Sequence, residues 1–237
     1  MNKISIVLFL IVLAGCKTPQ MYVAPDLKND SQMFQVTGRQ GLQVGRHLSF
    51  GEYTTGKVKQ GWVKGYDIPF FVRFQGMKEK LSFRQFGKPG QVADVYAVGK
   101  FRSTELPFLK DYFNIILNEK NHFAGTVILD DGKEVWEFLL FNPDGESLKE
   151  SKAGFAQKGT ETIEVNGIKK LENGKQSLAY KFWGYEFIYN GQPVGAVETV
   201  NNGNVWVKNN LSDDLKLVLA SLSSSLLLRT SLEERID

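Results

Sequence analysis

The sequence predicts a mainly β protein whose antiparallel strands surround an apolar α-helix at the carboxyl end. Asn-Gly and Asp-Gly dipeptides, which favour tight hairpin turns, recur between positions 131 and 203. The segments between them are rich in β-branched and aromatic residues, which pack well on a pleated sheet. A leucine-rich stretch over 213–229 then continues without a turn-forming residue, as expected of a helix.

The composition excludes several classes of protein. The chain has 237 residues, and its 29 Lys+Arg against 26 Asp+Glu give a formal net charge of +3. A hydrophobic content of 42% is typical of a globular protein and excludes a wholly disordered chain. The small charge and the lack of a basic run give no support for nucleic-acid binding. With one cysteine and two histidines, we expect no disulfide, no metal site and no cofactor.

The amino terminus has the form of an export signal. A lysine precedes an apolar run over residues 4–13, and small residues lead up to Cys16. The run is too short to span a bilayer, which needs about 20 apolar residues. Leu13-Ala14-Gly15-Cys16 resembles the lipobox of bacterial lipoproteins. The alternative is an ordinary signal peptide that leaves an unmodified thiol.

The lipobox resemblance implies a membrane anchor and a place in the cell envelope. In that family the signal, here residues 1–15, is removed and the cysteine receives a diacylglyceryl group and a further acyl chain such as palmitate. Two or three chains anchor a protein stably. Lys17 stands where an aspartate favours inner-membrane retention in enterobacteria, so the outer membrane is favoured. Residues 16–32 hold two prolines without a sustained period, which predicts a flexible tether.

Residues 33–237 are predicted to form one domain, since no change in composition divides them. Roughly eleven to thirteen strands are expected. The clearest strand candidates are segments 91–100, 123–129, 134–141, 185–189, 194–200 and 204–208. The last two flank Asn202-Gly203 and should pair as a hairpin. Segment 106–118 is open between a short helix and a loop that leads into a strand.

The predicted carboxyl-terminal helix covers about 212–229. Ser212 can cap it, and Asp213 and Asp214 complement the positive end of its dipole. Leucines occupy most of its sides, and the other interior positions are mainly small serines. The alternatives are a membrane span and an amphipathic surface helix. A helix that is apolar nearly all round is best explained by burial on all sides, inside a barrel.

The carboxyl-terminal part resembles the tubby carboxyl-terminal-like superfamily, which includes tubby domains, phospholipid scramblases and LURP-one-related proteins. The resemblance lies in residues 185–198, 204–208 and 213–228: two paired strands, a tryptophan strand and the leucine-rich helix. It implies a closed antiparallel barrel of about twelve strands around a buried helix. The chain lacks the cysteine cluster and the calcium-loop pattern of scramblases. No headgroup-binding residue of tubby domains is carried over.

The amino-terminal strands carry the one cluster that suggests a ligand. Its members are basic or aromatic, and the predicted anionic-lipid patch comprises Arg39, Arg46, Lys57, Lys59, Lys64 and Trp62. Such a patch suits a protein that is tethered beside anionic headgroups. The alternative is that these residues are solvated positions on the barrel exterior.

The sequence contains no recognisable catalytic motif. We therefore expect a non-enzymatic, membrane-anchored envelope lipoprotein that binds lipid headgroups or a protein partner. Two alternatives stay open at this stage. One is a lipocalin-like barrel that binds a small ligand, and the other is a hydrolase whose carboxylates come from distant strands.

Overall fold

The computed structural model describes residues 19–39, 47–60, 79–99, 122–141, 152–176 and 182–233. The predicted export signal, Cys16, Arg46, Trp62, Lys64 and segment 106–118 lie outside these residues. A short helix, α1 (Pro25–Asn29), precedes the strands. The strands are β1 (Ser31–Gln35), β2 (Ser49–Phe50), β3 (Tyr53–Thr55), β4 (Lys59–Gln60), β5 (Glu79–Phe86), β6 (Val92–Gly99), β7 (His122–Leu129), β8 (Glu134–Phe141), β9 (Lys152–Lys158), β10 (Glu161–Ile168), β11 (Gly184–Tyr189), β12 (Gln192–Glu198) and β13 (Asn204–Lys208). Helix α2 (Asp213–Glu233) ends the described chain.

The strands form one antiparallel sheet that curls into a barrel. In the described residues twelve strands follow one another in the order β1-β13-β12-β11-β10-β9-β8-β7-β6-β5-β3-β2, and β4 adds to β5. Thr37, just after β1, exchanges backbone hydrogen bonds of 2.9 and 3.1 Å with Ser49 of β2. This bridge joins the two ends of the sheet. The predicted barrel of about twelve strands is confirmed, and so is the hairpin between β12 and β13.

Helix α2 runs through the interior of the barrel. Every residue from Leu217 to Arg229 is buried. Its apolar side chains pack in the same core as inward residues of both halves of the sheet, such as Phe83 and Phe187. The Leu215 amide donates to the Ser212 hydroxyl at 3.3 Å, which caps the helix as predicted. The interpretation of this segment as a helix inside a barrel is therefore confirmed.

The serines of α2 let a helix fit where every side faces a strand. Ser221, Ser223 and Ser225 donate to helix carbonyl oxygens one turn earlier, each at 2.8 Å. Ser224 instead donates to Oε1 of Gln85 on β5 at 2.6 Å. Because each hydroxyl has a partner, the polar atoms do not incur the cost of unsatisfied burial. Their small volume also allows the strands to approach the helix closely.

The predicted tether is wrong for most of its length. Met21, Val23 and Leu27 are buried, and they pack on the outer face of the barrel against Ala196 and Trp206. The prolines of this segment indicated an unstructured chain. However, a proline is compatible with the first turn of a helix, where its missing N–H has no partner to lose. Residues 20–32 are therefore part of the folded domain.

We expect truncation before Asp213 to abolish cooperative folding, because the inward side chains of the strands would lose their packing partner. A matched pair of variants tests the same arrangement. Ala220→Glu, inside the barrel, should prevent folding, whereas Lys216→Glu at the partly exposed helix start should be tolerated. Urea denaturation followed by tryptophan fluorescence measures all three. A stable, cooperative transition in the truncated chain would contradict the central-helix arrangement.

Candidate functional site

Arg39 does not belong to an exposed basic patch, which corrects the sequence prediction. Its side chain is only 5% exposed. The guanidinium donates to the carbonyl oxygens of Thr199 and Asn201, each at 2.7 Å, and to that of Leu227 at 3.2 Å. It thereby links the β12–β13 turn to the last turns of α2. The sequence shows a charged residue here but not the converging carbonyl groups that bury it.

Lys57 and Lys59 do lie on the outer wall of the barrel, as predicted. Between them Val58 is buried, so the alternation of the chain points both lysines outward. Lys59 pairs in register with Ser82 of β5, and Arg84 follows two residues later on the same outward face. Backbone pairing thus places three basic side chains on one side of the sheet.

These side chains line a shallow cavity of about 420 Å³, which we term the basic groove. Its lining residues are Gly56, Lys57, Lys59, Ser82, Phe83, Arg84, Phe86, Asp94 and Tyr96. Arg84 Nε donates to Asp94 Oδ1 at 3.2 Å across the β5–β6 pair. Among its described lining residues the groove therefore has three cations and one carboxylate, with aromatic rings beside them.

The cations of the basic groove can hold an anionic group. Ammonium and guanidinium groups donate to phosphate and carboxylate oxygens, and Arg84 presents a planar fork to such a ligand. Among the described lining residues there is no histidine or cysteine to act as a nucleophile or proton carrier. Sequence reasoning missed Arg84, Asp94 and Tyr96. Asp94 and Tyr96 stand two residues apart in the strand predicted over 91–100 and so share a face, but only strand pairing brings them to the lysines.

A second cavity, of about 380 Å³, lies where α2 enters the barrel. Its polar lining includes Gln91, Asp130, Glu134 and Asp214. In the described part of the chain no three potential metal-binding side chains are grouped closely enough to hold an ion. This cavity is acidic, so it differs in chemistry from the basic groove.

Glu134, which lines that cavity, and Glu161 share one lysine as an ion-pair partner. Lys158 Nζ lies 2.9 Å from Glu134 Oε2 and 3.1 Å from Glu161 Oε1. Hydrogen bonds from the Tyr189 hydroxyl and from Lys158 hold the pKa of Glu161 below its ordinary value. A general acid needs the opposite shift, a raised pKa. Glu161 therefore gives no support to the hydrolase alternative.

The interior of the barrel is occupied by protein. A lipocalin-type barrel holds its ligand in the space between its strands. Here α2 fills that space along the described strands, with Val218, Leu219 and Ala220 fully buried. A ligand of comparable size would have to displace the helix. The described part of the barrel therefore does not support the lipocalin-like alternative.

Comparisons with protein-family models, with curated proteins and with solved structures yield no match to this chain. Among the helices that the structure describes, none has the length and apolar character needed to cross a bilayer.

We expect Arg39→Gln to lower the free energy of unfolding by about 2–4 kcal/mol, because several buried carbonyl oxygens lose charged donors. Lys57→Gln, on the exposed wall, should change it by less than about 0.5 kcal/mol. Chemical denaturation of both variants measures the difference. Equal stabilities would show that the buried hydrogen bonds of Arg39 do not hold the barrel and helix together.

Proposed function

We propose that this protein is a non-enzymatic lipoprotein of the bacterial envelope, anchored through acylated Cys16. Its barrel binds an anionic lipid headgroup, or an acidic segment of a protein partner, at the membrane surface. The observation that carries the binding role is the basic groove, where Lys57, Lys59 and Arg84 converge on the outer wall. A site on the outer wall also suits a barrel whose interior is filled.

The anchor is supported by the lipobox pattern that ends at Cys16. The barrel around a carboxyl-terminal helix agrees with the tubby-like resemblance, which we retain as part of this proposal. The outer membrane is the proposed location, on the basis of Lys17. Of these elements, the acylated cysteine is the most direct to test, because it predicts a defined mass and a defined solubility.

We expect the full chain expressed in a bacterium to partition into detergent and to carry the added mass of a diacylglyceryl group and an acyl chain. Cys16→Ser should remove both properties, because the sulfur that receives the lipid is absent. Detergent-phase partitioning and mass spectrometry of the intact protein measure them. A wild-type protein with an unmodified thiol would refute the anchor.

We expect Lys57→Gln combined with Lys59→Gln to weaken binding to anionic vesicles about thirtyfold, since each basic residue near such a surface contributes about 1 kcal/mol. The measurement is cosedimentation of the mature Cys16→Ser chain with phosphatidylcholine vesicles, with and without phosphatidylglycerol. The matched control is Lys133→Gln with Lys152→Gln, which removes the same charge from other surfaces.

The control pair should bind nearly as well as the parent chain. An equal loss of vesicle affinity in both double variants would show that binding depends on net charge and not on the basic groove. An unchanged affinity in the Lys57 and Lys59 variant would remove lipid binding from the groove. Binding of an acidic peptide by the parent chain, lost in that same variant, would favour the protein partner.

A further inference from the structure

A hairpin that follows β10 holds the amino-terminal segment. Residues 169–176, which we term the tether hairpin, fold back through the Leu171 amide, which donates to the Lys175 carbonyl at 2.8 Å. Lys170 also forms a bridge with Gln176. The tip of the hairpin therefore comprises Glu172, Asn173 and Gly174. It lies at the opposite end of β10 from the β9–β10 turn.

The amino-terminal segment pairs with this hairpin in antiparallel fashion. Tyr22 donates its amide to the Lys170 carbonyl at 2.9 Å, and the Glu172 amide donates to the Gln20 carbonyl at 3.0 Å. The amide of Met21 donates to the buried Glu198 carboxylate at 2.8 Å. From Tyr22 back to Gln20 the chain thus runs from the base of the hairpin towards its tip. At Gln20 the described chain therefore lies beside that tip.

The fixed position of Gln20 leaves a short connection to Cys16. Four residues span at most about 14 Å when fully extended. The headgroup region of one leaflet is about 5–7 Å thick. Acyl chains on Cys16 would therefore hold the tip of the tether hairpin close to the headgroups. A flexible tether over 16–32 would not have restricted the domain in this way.

The charges around the hairpin suit an anionic surface. Lys28, Lys169, Lys170 and Lys175 lie on it or beside it, and the carboxylate of Glu172, on the hairpin itself, pairs with Lys28. The ammonium of Lys170 sits 4.5 Å from the centre of the Tyr22 ring. That of Lys169 sits 5.2 Å from the centre of the Phe182 ring. Tyrosine and lysine are common at membrane interfaces, where their polar ends contact headgroups.

We propose that the tether hairpin is the membrane-contacting surface of this protein and that Lys169, Lys170 and Lys175 lie against anionic lipid headgroups. This orientation rests on the proposed anchoring through Cys16. It places the end of the barrel where α2 enters away from the bilayer. The basic groove then stands on the side wall above the bilayer, which favours the acidic protein segment over a membrane headgroup as its ligand.

The test uses the acylated full chain reconstituted in vesicles of phosphatidylcholine and phosphatidylglycerol that contain a headgroup nitroxide lipid. Acylated Cys16 does not react with a maleimide dye, so Asn173→Cys and Thr160→Cys each take one label. Thr160 is the matched control, because it begins the same strand at the other end, about 27 Å away. The nitroxide should quench the fluorescence of the dye several-fold more strongly at position 173 than at position 160.

A second arm changes the charges and the connection. Replacing Lys169, Lys170 and Lys175 by Gln in a chain with a long Gly-Ser insertion before Pro19 should reduce the quenching at position 173 towards that at position 160. Either change alone should reduce it less, because the short connection and the charges both contribute. Mass spectrometry of each reconstituted protein checks the anchor independently.

The outcomes separate the two proposals. An acylated protein that is quenched equally at both positions, or more at position 160, overturns the orientation and leaves the anchor intact. A protein without acyl mass overturns the anchor and, with it, this orientation. Strong quenching at position 173 that persists in vesicles of phosphatidylcholine alone, even in the lysine variant with the long insertion, overturns the role of the lysines.

Discussion

Burial of α2 inside the barrel is the constraint on which the rest of the structure depends. A helix whose every side faces a strand has no solvated face, so its polar atoms need partners within the fold. The serines meet this need through helix carbonyl groups and through Gln85. The carboxyl end is held by Arg39, which donates to Leu227 and to the neighbouring β12–β13 turn. Strands, helix and turn are thereby fixed as one unit.

A filled interior moves any binding site to the outside of the barrel. The strands alternate, so inward positions supply the core and outward positions are free to carry charge. On β5 this places Phe83 in the core and Arg84 in the basic groove. The outer wall is also used structurally, because the amino-terminal segment covers Ala196 and Trp206. One part of the exterior thus holds the amino-terminal segment in place, while another presents the cations of the basic groove.

The correct and the wrong predictions have different physical origins. Turn dipeptides and the leucine-rich segment are local signals, and they located β12, β13 and α2 well. The amino-terminal segment was misjudged because its order comes from distant partners such as Lys170 and Glu198. Arg39 was misjudged for the same reason, since its carbonyl partners lie about 160 to 190 residues further along the chain.

By itself the sequence determined the class of fold, the helix and the lipobox pattern around Cys16, because each depends on the order of neighbouring residues. It also indicated that Lys57 and Lys59 share an outward face. Only the tertiary structure decided that Arg84 joins those lysines, that Arg39 is buried, and that residues 20–32 are docked. These facts depend on pairing between strands far apart in the chain, and local periodicity carries no information about such register.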